Sequence, residues 1–173
     1  NCGKTTLFNL LTGARQKVGN WPGVTVEKKF GYLQLQQDEI ELVDLPGIYS
    51  LEQEYQGIDE QIARDYLQQD EIHLIINIID ASNLERSLVL TQQLREMGIP
   101  IIVTPNMLDA AEQQGLTLTP GKLDEQLGLP VISMVASRKQ GVSELKTAML
   151  NDFEASRAPR TEETDPENQD AKV

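Results

Sequence analysis

The sequence predicts an α/β fold in which a mostly parallel sheet is flanked by helices. Short β-branched runs at 73–79, 99–104 and 130–134 are of the kind buried on both faces of such a sheet. Between them apolar residues recur at helical spacing, and the alternation of the two patterns is the mark of parallel strands joined by crossover helices.

Along the chain, residues 4–12 read as a helix with Leu7, Phe8, Leu10 and Leu11 as its apolar side. Residues 30–36 and 40–45 alternate or run apolar around Gln37, Asp38 and Glu39, which makes them a hairpin. A helix is expected over 59–69. After the strand at 73–79, Leu84, Leu88, Leu94 and Met97 follow a helical period that Gly98 is placed to end. The strands at 99–104 and 130–134 enclose a helix at 121–127, and a last helix spans 143–153 with Ser143 as its N-cap. Asn1 already lies in a loop, so the expectation is that the first, central strand of the sheet is missing from this chain. Residues 1–153 form one domain, and 154–173 are a polar acidic tail or linker too poor in apolar residues to offset the entropy of ordering.

Composition narrows the function classes. With 173 residues, 39% apolar and 24% charged, the chain suits one soluble globular unit. A formal net charge of -12 opposes nucleic-acid binding, which depends on clustered Lys and Arg, so no nucleic-acid partner is expected. The single cysteine, Cys2, excludes an intrachain disulfide and sits at a variable loop position without a redox role. The longest apolar run, around 74–79, is too short to cross a bilayer.

Gly3-Lys4-Thr5 before an apolar helix is the second half of a phosphate loop of the P-loop NTPase type. There, backbone N–H groups and a helix N-terminus surround phosphates, Lys4 neutralises β/γ oxygens and the Thr5 hydroxyl ligates Mg²⁺. Taken alone, the tripeptide is equally consistent with a glycine that happens to precede a helix. Asp44-Leu45-Pro46-Gly47 ends an apolar strand, where an Asp reaches the Mg²⁺ shell and a Gly presents its N–H to a γ-phosphate; the plainer reading is a turn. In Asn106-Met107-Leu108-Asp109, a carboxylate at Asp109 accepts both donors of the guanine edge and would go unpaired against adenine. Val135-Ala136-Ser137 ends the next strand, where a backbone N–H meets the guanine carbonyl, although by itself it reads as an ordinary loop. The order of these motifs, with Thr25 between the first two, is that of GTPases of the Ras-like fold, and each follows a strand or lies in a long loop. His73 at a strand start reads as structural, and Arg15 at a helix end as solvated.

The stretches Asn1-Cys2-Gly3-Lys4-Thr5-Thr6-Leu7-Phe8-Asn9, Val18-Gly19-Asn20-Trp21-Pro22-Gly23-Val24-Thr25-Val26-Glu27 and Asp44-Leu45-Pro46-Gly47-Ile48-Tyr49-Ser50-Leu51 closely resemble the cytosolic GTPase domain of FeoB-type ferrous-iron transporters. The second stretch is the most specific, and the resemblance runs from Asn1 to about Phe153. It implies a GTP/GDP site made by Asn1, Cys2, Gly3, Lys4, Thr5, Thr6, Gly23, Val24, Thr25, Asp44, Gly47, Asn106, Met107, Asp109, Val135, Ala136 and Ser137. Catalysis would fall to Asn1, Lys4, Thr25 and Gly47. Mg²⁺ would be held by Thr5, Thr25 and Asp44, and an activating K⁺ by Asn1 with backbone carbonyls near Gly19 and Trp21. Ile48 stands where Ras-like enzymes carry a water-orienting Gln, so slow hydrolysis is expected.

The resemblance further implies a membrane transport domain in the same polypeptide, a place at the cytoplasmic face of a bacterial inner membrane, and iron transport as the process served. It leaves self-association open and places no iron-ligand cluster in this chain. Two other readings share these motifs: a soluble GTPase of the ribosome-assembly or tRNA-modification type, whose usual basic appendage is absent, and a nucleotide-binding module that no longer turns over.

Overall fold

The computed structural model describes residues 3–52, 57–69 and 71–157. Asn1, Cys2 and the tail from 158 onward lie outside the described residues. Helix α1 (Lys4–Thr12) is followed by β1 (Gln16–Asn20), β2 (Glu27–Leu35) and β3 (Asp38–Asp44), then α2 (Ile58–Leu67), β4 (Ile75–Asp80), α3 (Leu84–Glu96) and β5 (Ile101–Asn106). Helices α4 (Leu108–Gln113), α5 (Pro120–Leu127) and α6 (Val142–Arg157) complete the chain, with a 3₁₀ turn at Ala136–Arg138 before the last.

β2 and β3 form the expected hairpin, with Leu33 opposite Ile40 and Gly31 opposite Leu42. Leu33 and Leu35 point inward to Leu7 and Leu11 of α1. Gly31 lets α1 lie on the sheet, since a Cβ there would meet the Arg15 carbonyl and the Thr12 side chain at 2.8 Å. Strands β4 and β5 pair in parallel from Ile75↔Ile101 to Asp80↔Asn106, and every residue of β5 is buried, as its β-branched run predicts. The Asn77 amide of β4 donates to Thr91 of α3 at 2.6 Å, satisfying two buried polar side chains at once.

The α/β layering of the sequence reading is what the structure has, but parallel pairing is confined to β4, β5 and the segment beside them. That segment, expected as a strand over 130–134, runs parallel to β5 through the Val103↔Val131 bridge. The Val103 N–H bonds to Pro130 O, and the Met134 N–H to Pro105 O, at 2.9 and 2.8 Å. β1, β2 and β3 are antiparallel because short turns join them. The two groups of strands face one another across a cleft of about 990 Å³ between β3 and β4, lined by Leu7, Leu11, Ile40, Leu42, Ile76 and Met149 among others. No ladder joins β3 to β4 among the described residues, so each has one edge unpaired.

Three elements differ from expectation. β1 and the start of β2 make a hairpin of the stretch around Val18–Glu27, which had read as a mobile loop. β1 is an exposed edge strand with no inward row of apolar side chains, so it carries no period-two signal. Helix α6 starts at Val142, with the Leu145 N–H bonded to Gly141 O at 2.9 Å, so Ser143 lies inside the helix instead of capping it. It also runs past Phe153 to Arg157, whose guanidinium grips the Asp38 carboxylate through two bonds of 2.8 and 2.9 Å. That long-range pair gives the helix end an anchor which local composition does not encode.

Candidate nucleotide-binding site

The motif residues collect where the strands end. Asp44 is the last residue of β3, Asn106 of β5, and Val135 follows the segment that flanks β5. Gly3 precedes α1 with φ +85, a left-handed conformation that glycine adopts without cost. A Cβ at Gly3 would collide with the Asn106 side-chain amide, so the glycine is also what lets the phosphate loop touch the Asn106 loop. Asn106, 7% exposed, accepts the Ala136 N–H through Oδ1 at 3.1 Å. Three loops far apart in sequence, those of Gly3, Asn106 and Ala136, thus meet at one side chain.

Lys4, in the first turn of α1, bonds to the Leu45 carbonyl and reaches Asp44 Oδ1 at 2.7 Å. The contact with Asp44 is ionic and lacks hydrogen-bond geometry, so that buried carboxylate oxygen has charge compensation but no hydrogen bond. No side chain caps the N-terminus of α1, which leaves its first N–H groups and the positive end of its dipole toward this corner. Thr5 and Thr6 are exposed on the same turn. Gly47 is exposed in the irregular segment after β3, with open space where a Cβ would project.

The base-side residues are arranged with less contact. Met107 has φ 60, unusual for a residue with a side chain, and this turn starts α4 immediately after β5. Asp109 sits exposed in the first turn of α4, its carboxylate bonded to the Ala110 N–H at 3.0 Å. Ala136 is buried, Val135 half-buried and Ser137 exposed in the 3₁₀ turn.

The structure does not bring every expected residue to the corner. Gly23, Val24 and Thr25 lie at the tip of the β1–β2 hairpin, closed by Trp21 N–H to Val26 O at 2.9 Å and Val24 N–H to Trp21 O at 3.3 Å. Thr25 is exposed, and among the described residues no hydrogen bond ties it to Lys4, Thr5 or Asp44. Gly19 is held in the β1–β2 ladder opposite Lys28. Trp21, expected in a mobile loop, is 5% exposed and packs edge-on against Tyr66 of α2 with ring centres 5.4 Å apart. The Lys28 ammonium lies 4.9 Å over the indole. Burial, then Glu41 and Glu71, raise the pKa of Tyr66, so its hydroxyl stays neutral. Arg15 binds Glu39 and lies over Tyr32, and His73 is exposed just before β4.

Two features went unread in the sequence. Asp80 ends β4 beside Asn106 and holds Ser82 through its N–H at 2.9 Å and its hydroxyl at 2.5 Å. An Asp closing a buried strand was visible as a pattern. Gln93 of α3 gathers Ser50, Leu51 and Glu52, and nothing local marks it. No group of three or more His, Cys, Asp or Glu suited to a metal ion occurs among the described residues, and no described helix is long and apolar enough to cross a membrane.

Residues 1–149 match the family model for ferrous iron transport protein B, in its amino-terminal part. The Fe(2+) transporter FeoB of Shigella flexneri is 53% identical over 151 residues, which cover 86% of this chain and 20% of that protein. The FeoB of Escherichia coli K12 is 52% identical over the same coverage. This chain therefore spans about a fifth of the length of these curated relatives.

Among solved structures, the cytosolic domain of L. pneumophila FeoB aligns with TM-score 0.82 at 50% identity, covering 88% of this chain and 64% of that one. The cytosolic domain of the T. maritima FeoB iron transporter in its GMPPNP form aligns at 0.81 and 43% identity, over 87% and 59%. The isolated G domain of T. maritima FeoB gives 0.81 at 42% identity, over 88% and 92%. The chain belongs to the ferrous iron transport protein B family, and what it carries is the family's G domain, with the P-loop GTPase fold.

Proposed function

We propose that this chain binds GTP with Mg²⁺ and hydrolyses it slowly, as the cytosolic control domain of a ferrous-iron transporter at the cytoplasmic face of a bacterial inner membrane. The observation that carries the reading is the meeting of Gly3, Asn106 and Ala136, which joins phosphate loop and base loops into one site next to the Lys4–Asp44 pair. The GMPPNP form of the T. maritima relative supports the ligand class.

In this reading Asp109 takes the donors of the guanine edge, a backbone N–H of the Val135-Ala136-Ser137 turn meets its carbonyl, and Met107 completes the base pocket. Gly3, Thr6 and the free N–H groups of α1 surround the phosphates with Asn1 and Cys2, and Lys4 leaves Asp44 to neutralise their oxygens. Asp44 and Thr5 are hard oxygen donors, and the unbonded buried oxygen of Asp44 suits a cation, so these two with Thr25 would hold Mg²⁺. Bound there, Mg²⁺ neutralises charge on the β/γ oxygens. Thr25, Gly23 and Val24 reach the site only when the hairpin tip moves, which makes the arrangement dependent on nucleotide. Gly47 offers its N–H to the γ-phosphate, and Ile48 supplies no base, which keeps turnover slow.

Asn1, with carbonyls at Gly19 and Trp21, would hold K⁺, whose charge assists at the β/γ bridge. The G domain extends to the end of α6 at Arg157, four residues past the boundary read from the sequence, and 158–173 are a linker toward the transport domain of the same polypeptide. The cleft between β3 and β4 supports a further, central strand seated there, pairing both free edges.

The deciding experiment is GTP turnover by the full-length protein in K⁺ and in Na⁺. Faster hydrolysis in K⁺, lost on Asn1→Ala, is the expected result. Absence of GTP hydrolysis in either salt would overturn the enzymatic reading, and equal rates would remove the potassium site alone.

A further inference from the structure

After β3 the chain runs through residues 45–52 without regular secondary structure. Ser50 is the one buried residue of this stretch, and backbone N–H groups beside it that no ladder pairs need partners from elsewhere. One side chain of α3 supplies the partner for Leu51 and holds its neighbours. Gln93 Oε1 accepts the Leu51 N–H at 2.6 Å, and its Nε2 donates to Ser50 Oγ at 3.0 Å and toward Glu52 Oε1 at 3.4 Å. Ser50 Oγ in turn accepts the Glu52 N–H at 3.1 Å. The amide can face only one way, because the Leu51 N–H is purely a donor and must meet the oxygen. Ser50 is 7% exposed, so the knot is largely shielded from competing water. Two turns back along α3, the Arg86 guanidinium lies 3.5 Å over the Tyr49 ring and holds the neighbouring residue.

The placement of this knot has a geometric consequence for Gly47. Gly47 is three Cα–Cα steps from Ser50, with Ile48 and Tyr49 between, so with Ser50 fixed the glycine stays within about 10 Å of the pin. We infer that Gln93 is a positioning residue for GTP hydrolysis: by pinning Ser50, Leu51 and Glu52 to α3, it sets where the Gly47 N–H meets the terminal phosphate. The inference rests on the GTPase reading above. Among the described residues Gln93 makes no hydrogen bond to the phosphate loop or the base loops, so its effect falls on turnover and not on nucleotide affinity.

The test uses the full-length protein with Gln93→Met, which keeps length and removes both hydrogen-bonding groups, and Gln93→Glu, which keeps the acceptor for the Leu51 N–H. For Gln93→Met, kcat is expected to fall about 10-fold, since displacement of a positioned group by an ångström costs rates of this order or more. KM for GTP and the affinity for GDP stay within about two-fold in the same kinetic comparison. Gln93→Glu recovers part of the lost kcat. Should Gln93→Met fail to fold, Ser50→Ala gives the same split with a smaller loss.

An unchanged kcat in the Met variant, or a parallel fall in kcat and GDP affinity, overturns the inference. A wild-type protein that hydrolyses no GTP overturns the functional reading and this inference together. An active wild type beside an equally active Met variant overturns only the inference.

Discussion

At the end of β5, Asn106 is buried, hydrogen-bonded to Ala136 and pressed against Gly3, whereas at the tip of the β1–β2 hairpin Thr25 is exposed and, among the described residues, hydrogen-bonded to nothing in the site. The first region rests on the fully buried strand β5. The second hangs from an exposed edge strand and is held aside by Trp21 against Tyr66. In the proposed reading the Asn106 and Ala136 loops share the ordered corner with Gly3 and Lys4, and the hairpin residues Gly23, Val24 and Thr25 join it only when the hairpin tip moves. This division suits a domain that must report which nucleotide it holds.

The harshest way to break the comparison is at Lys4, which already lies in the corner beside Asp44. Lys4→Met removes its charge and leaves buried Asp44 without compensation, so GTP turnover should fall by at least about 100-fold, measured as phosphate release. At the ordered end, Asp109→Asn should lower GTP affinity by about 100-fold and favour xanthosine triphosphate, in competition binding. Unchanged base preference would show that the ordered end is not the base end.

The hairpin offers a sharper probe. Trp21→Ala removes a buried aromatic contact, so amide exchange across 16–27 should speed up while GDP affinity changes by less than about three-fold. Equal loss at both ends would mean that the hairpin is not independent of the base loops.

The smallest expected effect lies outside both ends. Burial raises the pKa of Asp152 on α6, and its Oδ2 has no hydrogen bond. A carboxyl with a raised pKa favours the folded state while protonated, and that contribution is lost as pH rises from the ordinary value of 3.8 through the raised one. Asp152→Asn should therefore stabilise the protein at neutral pH by no more than about 1 kcal/mol, given the partial exposure, with no gain below pH 3.8 in thermal melts.

How far the sequence could be read follows the same division. β4, β5 and the helix α3 between them announce themselves because burial on both faces of the sheet demands continuous β-branched runs and packing of the helix on it demands a helical period. Gly3, Lys4, Asp44 and Asn106 were legible because phosphate and base chemistry fixes residue type and strand-end position together. β1 was not, since an exposed edge strand needs no apolar alternation. Trp21 read as mobile because its partner, Tyr66, comes 45 residues later in sequence. Gln93 and the Arg157–Asp38 pair are likewise long-range, and polar residues on helices carry no local sign of what they will hold.

Amide hydrogen exchange of the full-length protein, with and without a non-hydrolysable GTP analogue, tests the central claim most directly. Protection should rise strongly at 18–26 and 47–52 on binding, and change little at 103–109 and 134–137, which are already ordered. Equal gains in both regions, or a gain confined to the base loops, would contradict a preformed base end and a conditional phosphate end.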